Sequence, residues 1–326
     1  MVVLGSVRAA GLCHVRVAAV DCGTNTIKLM VADLPSGEVL ARETRMVRLG
    51  QDVDRTGRLA PEALERAFAA LDEYAAVLER LPVERLRFCA TSAARDATNG
   101  DLFAAGVRER LGVDPEVLAG HEEARLAFAG AVRHLRVDPE PPVLVVDIGG
   151  GSTELVLGPA RPGEGPPEGH SMDIGSVRMH ERHLRTDPPT AAEVAAATAD
   201  IDAALDACPV PASEAATVVG VAGTVLTVAA GVLDLPAYDR DALDQAVVDA
   251  RGVHAMTARL LGMTVAERLE LPYLHPGRAD VIGAGALILD RVLRRTRADR
   301  LVVSEADILD GIAWSLMESS EERASD

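Results

Sequence analysis

Residues 143–155 read VLVVDIGGGSTEL, an apolar run, an aspartate, three glycines, two hydroxyl residues and a second acid. A short apolar run bounded by glycine predicts a buried strand, and TELVLG after the turn predicts a second one. Glycines at such a turn let backbone N–H groups face outward with no Cβ in the way, which binds phosphate oxygens without lysine. The neighbouring acids would repel phosphate unless a cation lay between them. Mg²⁺ suits that place, because it takes few direct carboxylates and shares its shell with water and phosphate. One glycine turn of this kind is by itself only a tight hairpin.

A second copy changes the reading. Residues 15–34, VRVAAVDCGTNTIKLMVADL, repeat the order strand, aspartate, glycine turn, hydroxyl and strand, with Asp21 standing 126 residues before Asp147. Two α/β halves facing each other across a central cleft are therefore expected. The first would run over residues 15–137 and the second over 138–305, joined near VDPEPP, with a last helix at 306–326 packing back on the first half. Residues 1–14 lack periodicity and are expected to be a disordered extension. Helical spacing marks 61–81, 100–112, 121–135, 191–207, 242–262, 278–296 and 308–319, and further strands are expected at 37–49, 85–91, 116–119 and 300–308.

Composition narrows the classes. Aromatics are only 2% of 326 residues, so the core is built from Ala, Val and Leu, which suits packed α/β layers. The net charge of −17 speaks against nucleic-acid binding. It is uneven: residues 15–120 hold 17 acids and 14 bases, residues 121–326 hold 33 and 18. Lys28 is the sole lysine among 33 basic residues, a bias that reads as coding preference. Cys13, Cys22, Cys89 and Cys208 have no metal-type spacing, and the absence of a signal peptide makes a cytoplasmic protein with reduced thiols the expectation. The uncharged stretch 215–233 is long enough for a membrane span, but three glycines, three threonines and the lack of flanking anchors favour a strand, a turn and a helix.

Within GHEEARLAF, Glu123 shares a helical face with Leu126, Ala127, Gly130 and Ala131, whereas Glu122 lies with Arg125, Ala129 and Arg133 toward water. An acid on the inward side of a helix start needs a reason. Arg95, in TSAARDATN, has a fork that matches pairs of phosphate oxygens, and Thr91 and Ser92 could donate hydroxyls.

VAAVDCGTNTIKLMVAD, ATSAARDATN, VLAGHEEARLAFAGAV, VLVVDIGGGSTELVLG and GVAGTVLTVAA together resemble the exopolyphosphatase and guanosine pentaphosphate phosphohydrolase family of the actin-like ATPase and sugar kinase superfamily. The resemblance runs from about Val15 to about Ser315. It implies two duplicated actin-like (ribonuclease H-like) domains and Mg²⁺-dependent hydrolysis of the terminal phosphoanhydride of polyphosphate or pppGpp, with Mn²⁺ as the other candidate ion. By the same resemblance Glu123 is the general base, Asp147 and Glu154 hold the metal with Asp21 as their first-half counterpart, and Arg95 assists. Gly23, Thr24, Asn25, Ser92, Gly149, Gly150, Gly151 and Ser152 would cradle phosphate, with Gly223 and Thr224 as a further phosphate turn. The stretch ADILDGIAWSL departs from the glycine–arginine ending common in the family, which puts in doubt a nucleotide contact there. A kinase and a non-catalytic pppGpp or polyphosphate sensor are the other classes. Partners beyond the substrate are limited to a second copy in a homodimer, with neither nucleic acid nor membrane expected.

Overall fold

The computed structural model describes residues 15–136, 138–161 and 164–324, and the extension expected at residues 1–14 lies outside them. The first half opens with β1 (Val15–Cys22), β2 (Thr26–Leu34) and β3 (Glu38–Met46), followed by α1 (Val53–Thr56), α2 (Pro61–Arg80), β4 (Arg85–Ala90), α3 (Ser92–Asp96), α4 (Gly100–Leu111), β5 (Glu116–Val117) and α5 (Gly120–Arg133). The second half has β6 (Val143–Ile148), β7 (Thr153–Gly158), β8 (Glu168–Met172), α6 (Ser176–His183), α7 (Ala191–Ala207), β9 (Thr217–Val221), α8 (Ala222–Val232), α9 (Arg240–Leu243), β10 (Val247–Asp249), α10 (Ala250–Gly262), α11 (Val265–Leu269), α12 (Ile282–Leu293), β11 (Arg300–Val303) and α13 (Ile308–Ala324).

Two mixed sheets result, ordered β3-β2-β1-β4-β5 and β10-β11-β9-β6-β7-β8. In each, an antiparallel meander is extended on its first strand by parallel neighbours, β4 on β1 and β9 on β6. This is the duplicated α/β architecture of the actin-like fold. The first strand of each meander is covered on both faces, which is why VAAVDC and VLVVDI read as nearly continuous apolar runs. Each of these strands delivers its aspartate and glycine turn at its C-terminal end.

The stretch 242–262, expected as one helix, divides: residues 247–249 form β10 against β11, and α10 starts at Ala250, capped by the Asp249 side chain bonding Arg251 N at 2.8 Å. Among the described residues no helix is long and apolar enough to cross a membrane. Strand β9 and helix α8 occupy the uncharged stretch instead.

Helix α13 lies on the first sheet, where Ile308, Leu309, Ile312 and Ala313 meet Val17, Ala19 and Met30. It also crosses α5 closely, because Gly130 and Gly311 stand where a Cβ would collide with Asp307 O and with Leu126 O respectively. Near that crossing the Arg133 guanidinium sits 4.5 Å over the Trp314 ring.

Candidate active site

The glycine turn after β6 owes its shape to α6. Ser176 N donates to Gly149 O at 3.0 Å, Val177 N to Gly150 O at 2.8 Å, and Arg178 Nε to Gly151 O at 2.7 Å. In a trans peptide the C=O and the following N–H point opposite ways. Drawing three successive carbonyls toward α6 therefore turns the N–H groups of Gly150, Gly151 and Ser152 the other way, and none of them has a protein acceptor among the described residues. The turn after β1 is built alike: Thr24 O accepts from Gly50 N at 2.9 Å, and Asn25 O from Val47 N and Arg48 N at 3.0 Å.

The two turns touch. Thr24 Oγ1 and Ser92 Oγ are hydrogen-bonded at 2.8 Å, and a Cβ on Gly151 would sit 2.5 Å from the first and 2.6 Å from the second. Glycine is required at residue 151 for this approach. Asn25 adds a side-chain amide whose Oδ1 and Nδ2 are both buried without a partner. Such a group is costly unless something polar meets it.

Three carboxyls face these turns. Asp147 and Glu154 pair directly across the β6–β7 hairpin, so both project from the same face. With Glu123 from the first turn of α5 they are 7%, 2% and 6% exposed. Burial pushes all three pKa values up; Glu123 raises those of Asp147 and Glu154 further, and Asp147 raises that of Glu154. Arg95 opposes this at Glu123, donating to Oε2 at 2.9 Å. Ser171 donates to Glu154 Oε1 at 2.7 Å. Neither Asp147 nor Glu154 has an ion pair among the described residues.

A cavity of about 60 Å³ lies over these acids and opens beside a second one of about 380 Å³. Lys28, Ala222, Gly223 and Arg278 line both. The larger chamber has apolar and aromatic walls, including Leu226, Tyr238, Tyr273 and Leu274, with Arg42 and Asp307 at the Lys28 end.

Residues 30–320 match the model of the Ppx/GppA phosphatase family. The chain belongs to that family. It is 46% identical over 318 residues to exopolyphosphatase 2 of Mycobacterium tuberculosis, an alignment covering 92% of this chain and 98% of that protein. Among solved structures, an exopolyphosphatase-like protein superposes with a TM-score of 0.90 at 44% identity, covering 93% and 98% of the two chains. The Ppx/GppA member from Aquifex aeolicus gives 0.78 at 29%, covering 94% and 99%.

In this Ppx/GppA chain the smaller cavity brings together Asp21, Gly23, Thr24, Asn25, Ser92, Glu123, Asp147, Gly149, Gly150, Ser152, Glu154 and Gly223. Arg95, Gly151 and Thr224 do not line it. Arg95 bonds Glu123 and Leu118 O, and Thr224 packs where a Cβ on Gly285 would be 2.7 Å from its hydroxyl. Asp21 lies 3.5 Å from the Lys28 ammonium. Glu122, read as facing water, pairs with Arg87 at 2.9 Å.

Two cations were not anticipated. Burial alone would depress the Lys28 pKa, but Asp307 at 2.6 Å and Asp21 outweigh it and hold the ammonium charged. Its signal was in the sequence as the single lysine, two residues beyond the turn on the cleft-facing side of β2. Arg278 comes from a short turn remote from every motif. Its guanidinium packs on Gly223, where a Cβ would collide with it, and it has no side-chain partner among the described residues. Ala222, between them, holds a left-handed φ of 66°, a strained conformation for a residue with a Cβ.

The donor set bears on a metal. Among the described residues no group of three or more His, Cys, Asp or Glu side chains could enclose an ion alone. Two mutually repelling carboxyls without an ion pair among the described residues, with only the more distant Lys28 ammonium to offset Asp147, stand beside unspent N–H groups and fit an ion that completes its oxygen shell with water and phosphate.

Proposed function

We propose that the chain hydrolyses the terminal phosphoanhydride of inorganic polyphosphate, with the terminal phosphoryl group in the smaller cavity and the rest of the chain passing Lys28 and Arg278. One observation carries this reading: three buried carboxyls, Glu123, Asp147 and Glu154, line one small cavity together with Gly150 and Ser152, whose N–H groups are unspent. The N–H groups bind the terminal oxygens and stabilise charge developing on them. Glu123 accepts the proton of a water that attacks the terminal phosphorus, and Arg95 orients Glu123. The P–O bond to the leaving phosphate breaks as the new P–O bond forms, and Lys28 and Arg278 neutralise the departing oxygens. Asp147 and Glu154 are the residues to hold Mg²⁺, or Mn²⁺, which would supply the positive charge that lets phosphate approach these acids.

The larger chamber favours pppGpp as a second substrate, since apolar and aromatic walls suit an organic group better than bare phosphate. Phosphate release from short polyphosphate, long polyphosphate, pppGpp and ATP, measured side by side, tests both readings. Release from none of them removes the hydrolase reading, and transfer to glucose would replace it with a kinase.

A further inference from the structure

Arg178 joins the phosphate turn of the second sheet domain to the first one. Its Nε donates to Gly151 O at 2.7 Å, Nη1 to Asp54 Oδ1 at 2.5 Å, and Nη2 to Asp96 Oδ2. The side chain is 10% exposed. Asp54 belongs to α1. Asp96 ends α3, the short helix that begins at Ser92 and carries Arg95. On the same face of α6, three and four residues on, Glu181 accepts from Asp52 N at 3.1 Å and Arg182 grips Asp54 through Nε at 2.7 Å and Nη2 at 2.8 Å. The seam they close keeps a void of only about 10 Å³.

A guanidinium is planar and its donors point in fixed directions, so one arginine can serve a carbonyl and two carboxylates only in one relative placement of all three. Gly151 travels with the second domain, Asp54 and Asp96 with the first. Separation of the domains must break the set. Arg178 would then follow the acids or the carbonyl, and in the first case the Gly151 peptide is free to turn its N–H neighbours out of the cleft.

We propose that Arg178 is a positioning residue that completes the glycine cradle only when the two sheet domains are closed. The kinetic part of its test rests on the hydrolase reading; the structural part does not. The structural part is hydrogen exchange in the protein without substrate. The amides of Ser176, Val177 and Arg178, which donate to the turn, are expected to exchange roughly tenfold faster in Arg178→Ala. They should do so in Asp96→Asn as well, although Asp96 lies in the other domain. Unchanged exchange in both variants overturns the proposal.

The kinetic part uses short polyphosphate. Arg178→Ala is expected to lose roughly 10- to 100-fold in kcat with KM within about threefold, the scale of a misplaced catalytic framework. Arg178→Lys keeps the charge but not the fork and should stay below about a tenth of wild type. The Arg178→Ala, Asp96→Asn double variant should be no worse than Arg178→Ala, because both break one device. Wild-type kcat in Arg178→Ala, or additive losses in the double variant, overturns the proposal. If Arg178→Ala fails to fold, Arg178→Lys and Asp96→Asn decide by the same exchange and kcat criteria. If the wild-type protein releases no phosphate from polyphosphate or pppGpp, the hydrolase reading falls and the exchange result alone decides.

Discussion

Arg95 Nη1 donates to Glu123 Oε2 over 2.9 Å and to Leu118 O over 2.9 Å, so the arginine suited to grip phosphate instead holds a carboxylate. The two residues form one unit. Glu123→Gln preserves shape but cannot take a proton, and kcat should fall about 100- to 10,000-fold with little change in binding. Glu122→Gln breaks only the contact with Arg87 and should stay within a few-fold of wild type. Steady-state kinetics of the two variants check this, and a reversed order would assign the base to Glu122.

Burial pushes the Glu123 carboxyl up to about 7, against the opposing pull of Arg95. A general base works ionised, so kcat/KM should rise with pH along a limb near that value and level off above it. A bound cation would draw the limb lower. The limb should vanish in Glu123→Gln. Stability carries the opposite sign. A folded pKa above the unfolded value of about 4.3 means the folded state binds the proton more tightly, so metal-free protein should lose stability as pH rises from about 4.3 toward 7. Thermal melting in chelator across that range measures it.

Asp147 and Glu154 repel each other and Glu123, so Asp147→Asn and Glu154→Gln should relieve strain in metal-free protein while removing the ion's holders. Expected are melting temperatures equal to or above wild type, with phosphate release down by about 100-fold or more. Wild type should lose activity in excess chelator and regain it with Mg²⁺. Full turnover in chelator would exclude this use of the pair.

Lys28 and Arg278 border the same cavity but should respond oppositely to replacement. Among the described residues, Lys28→Met leaves Asp21 without its cation and Asp307 with only the 3.5 Å ion pair to Arg42, and breaking such a buried pair costs up to about 3–5 kcal/mol, so the variant should melt lower. Arg278 is desolvated without a protein partner, which already depresses its pKa. Arg278→Met should therefore melt no lower than wild type and raise KM for polyphosphate by roughly tenfold. Melting and KM measured together separate the two residues.

Much of this arrangement was legible because central strands betray themselves. VAAVDC and VLVVDI are apolar since both faces are covered, and the aspartate and glycine that end each run mark a turn whatever follows. Strand β8, EGHSM, escaped notice because an edge strand has no apolar run to show. Helix α6, SVRMHERH, is short and polar, yet it fixes the carbonyls that aim the glycine turn. The face argument separated Glu123 from Glu122, since helical periodicity is local. It could not give the partner of Arg95, which lies 28 residues away and is fixed only by packing. Arg278 was hidden because helical spacing places it at the start of the helix expected over 278–296, whereas it ends the short turn Pro276–Arg278 and α12 begins only at Ile282.

The Arg133–Trp314 contact has a practical consequence. Trp314 is the only tryptophan in the chain, so its emission reports a single place, the crossing of α5 with α13. A cation held over an indole alters its emission, and unseating the helix would replace that cation with water. The crossing joins the helix of Glu123 to the helix start at which Asp307 fixes Lys28. Unlabelled protein thus carries its own optical probe of whether base and cation share a frame, readable in a stopped-flow cell as phosphate enters.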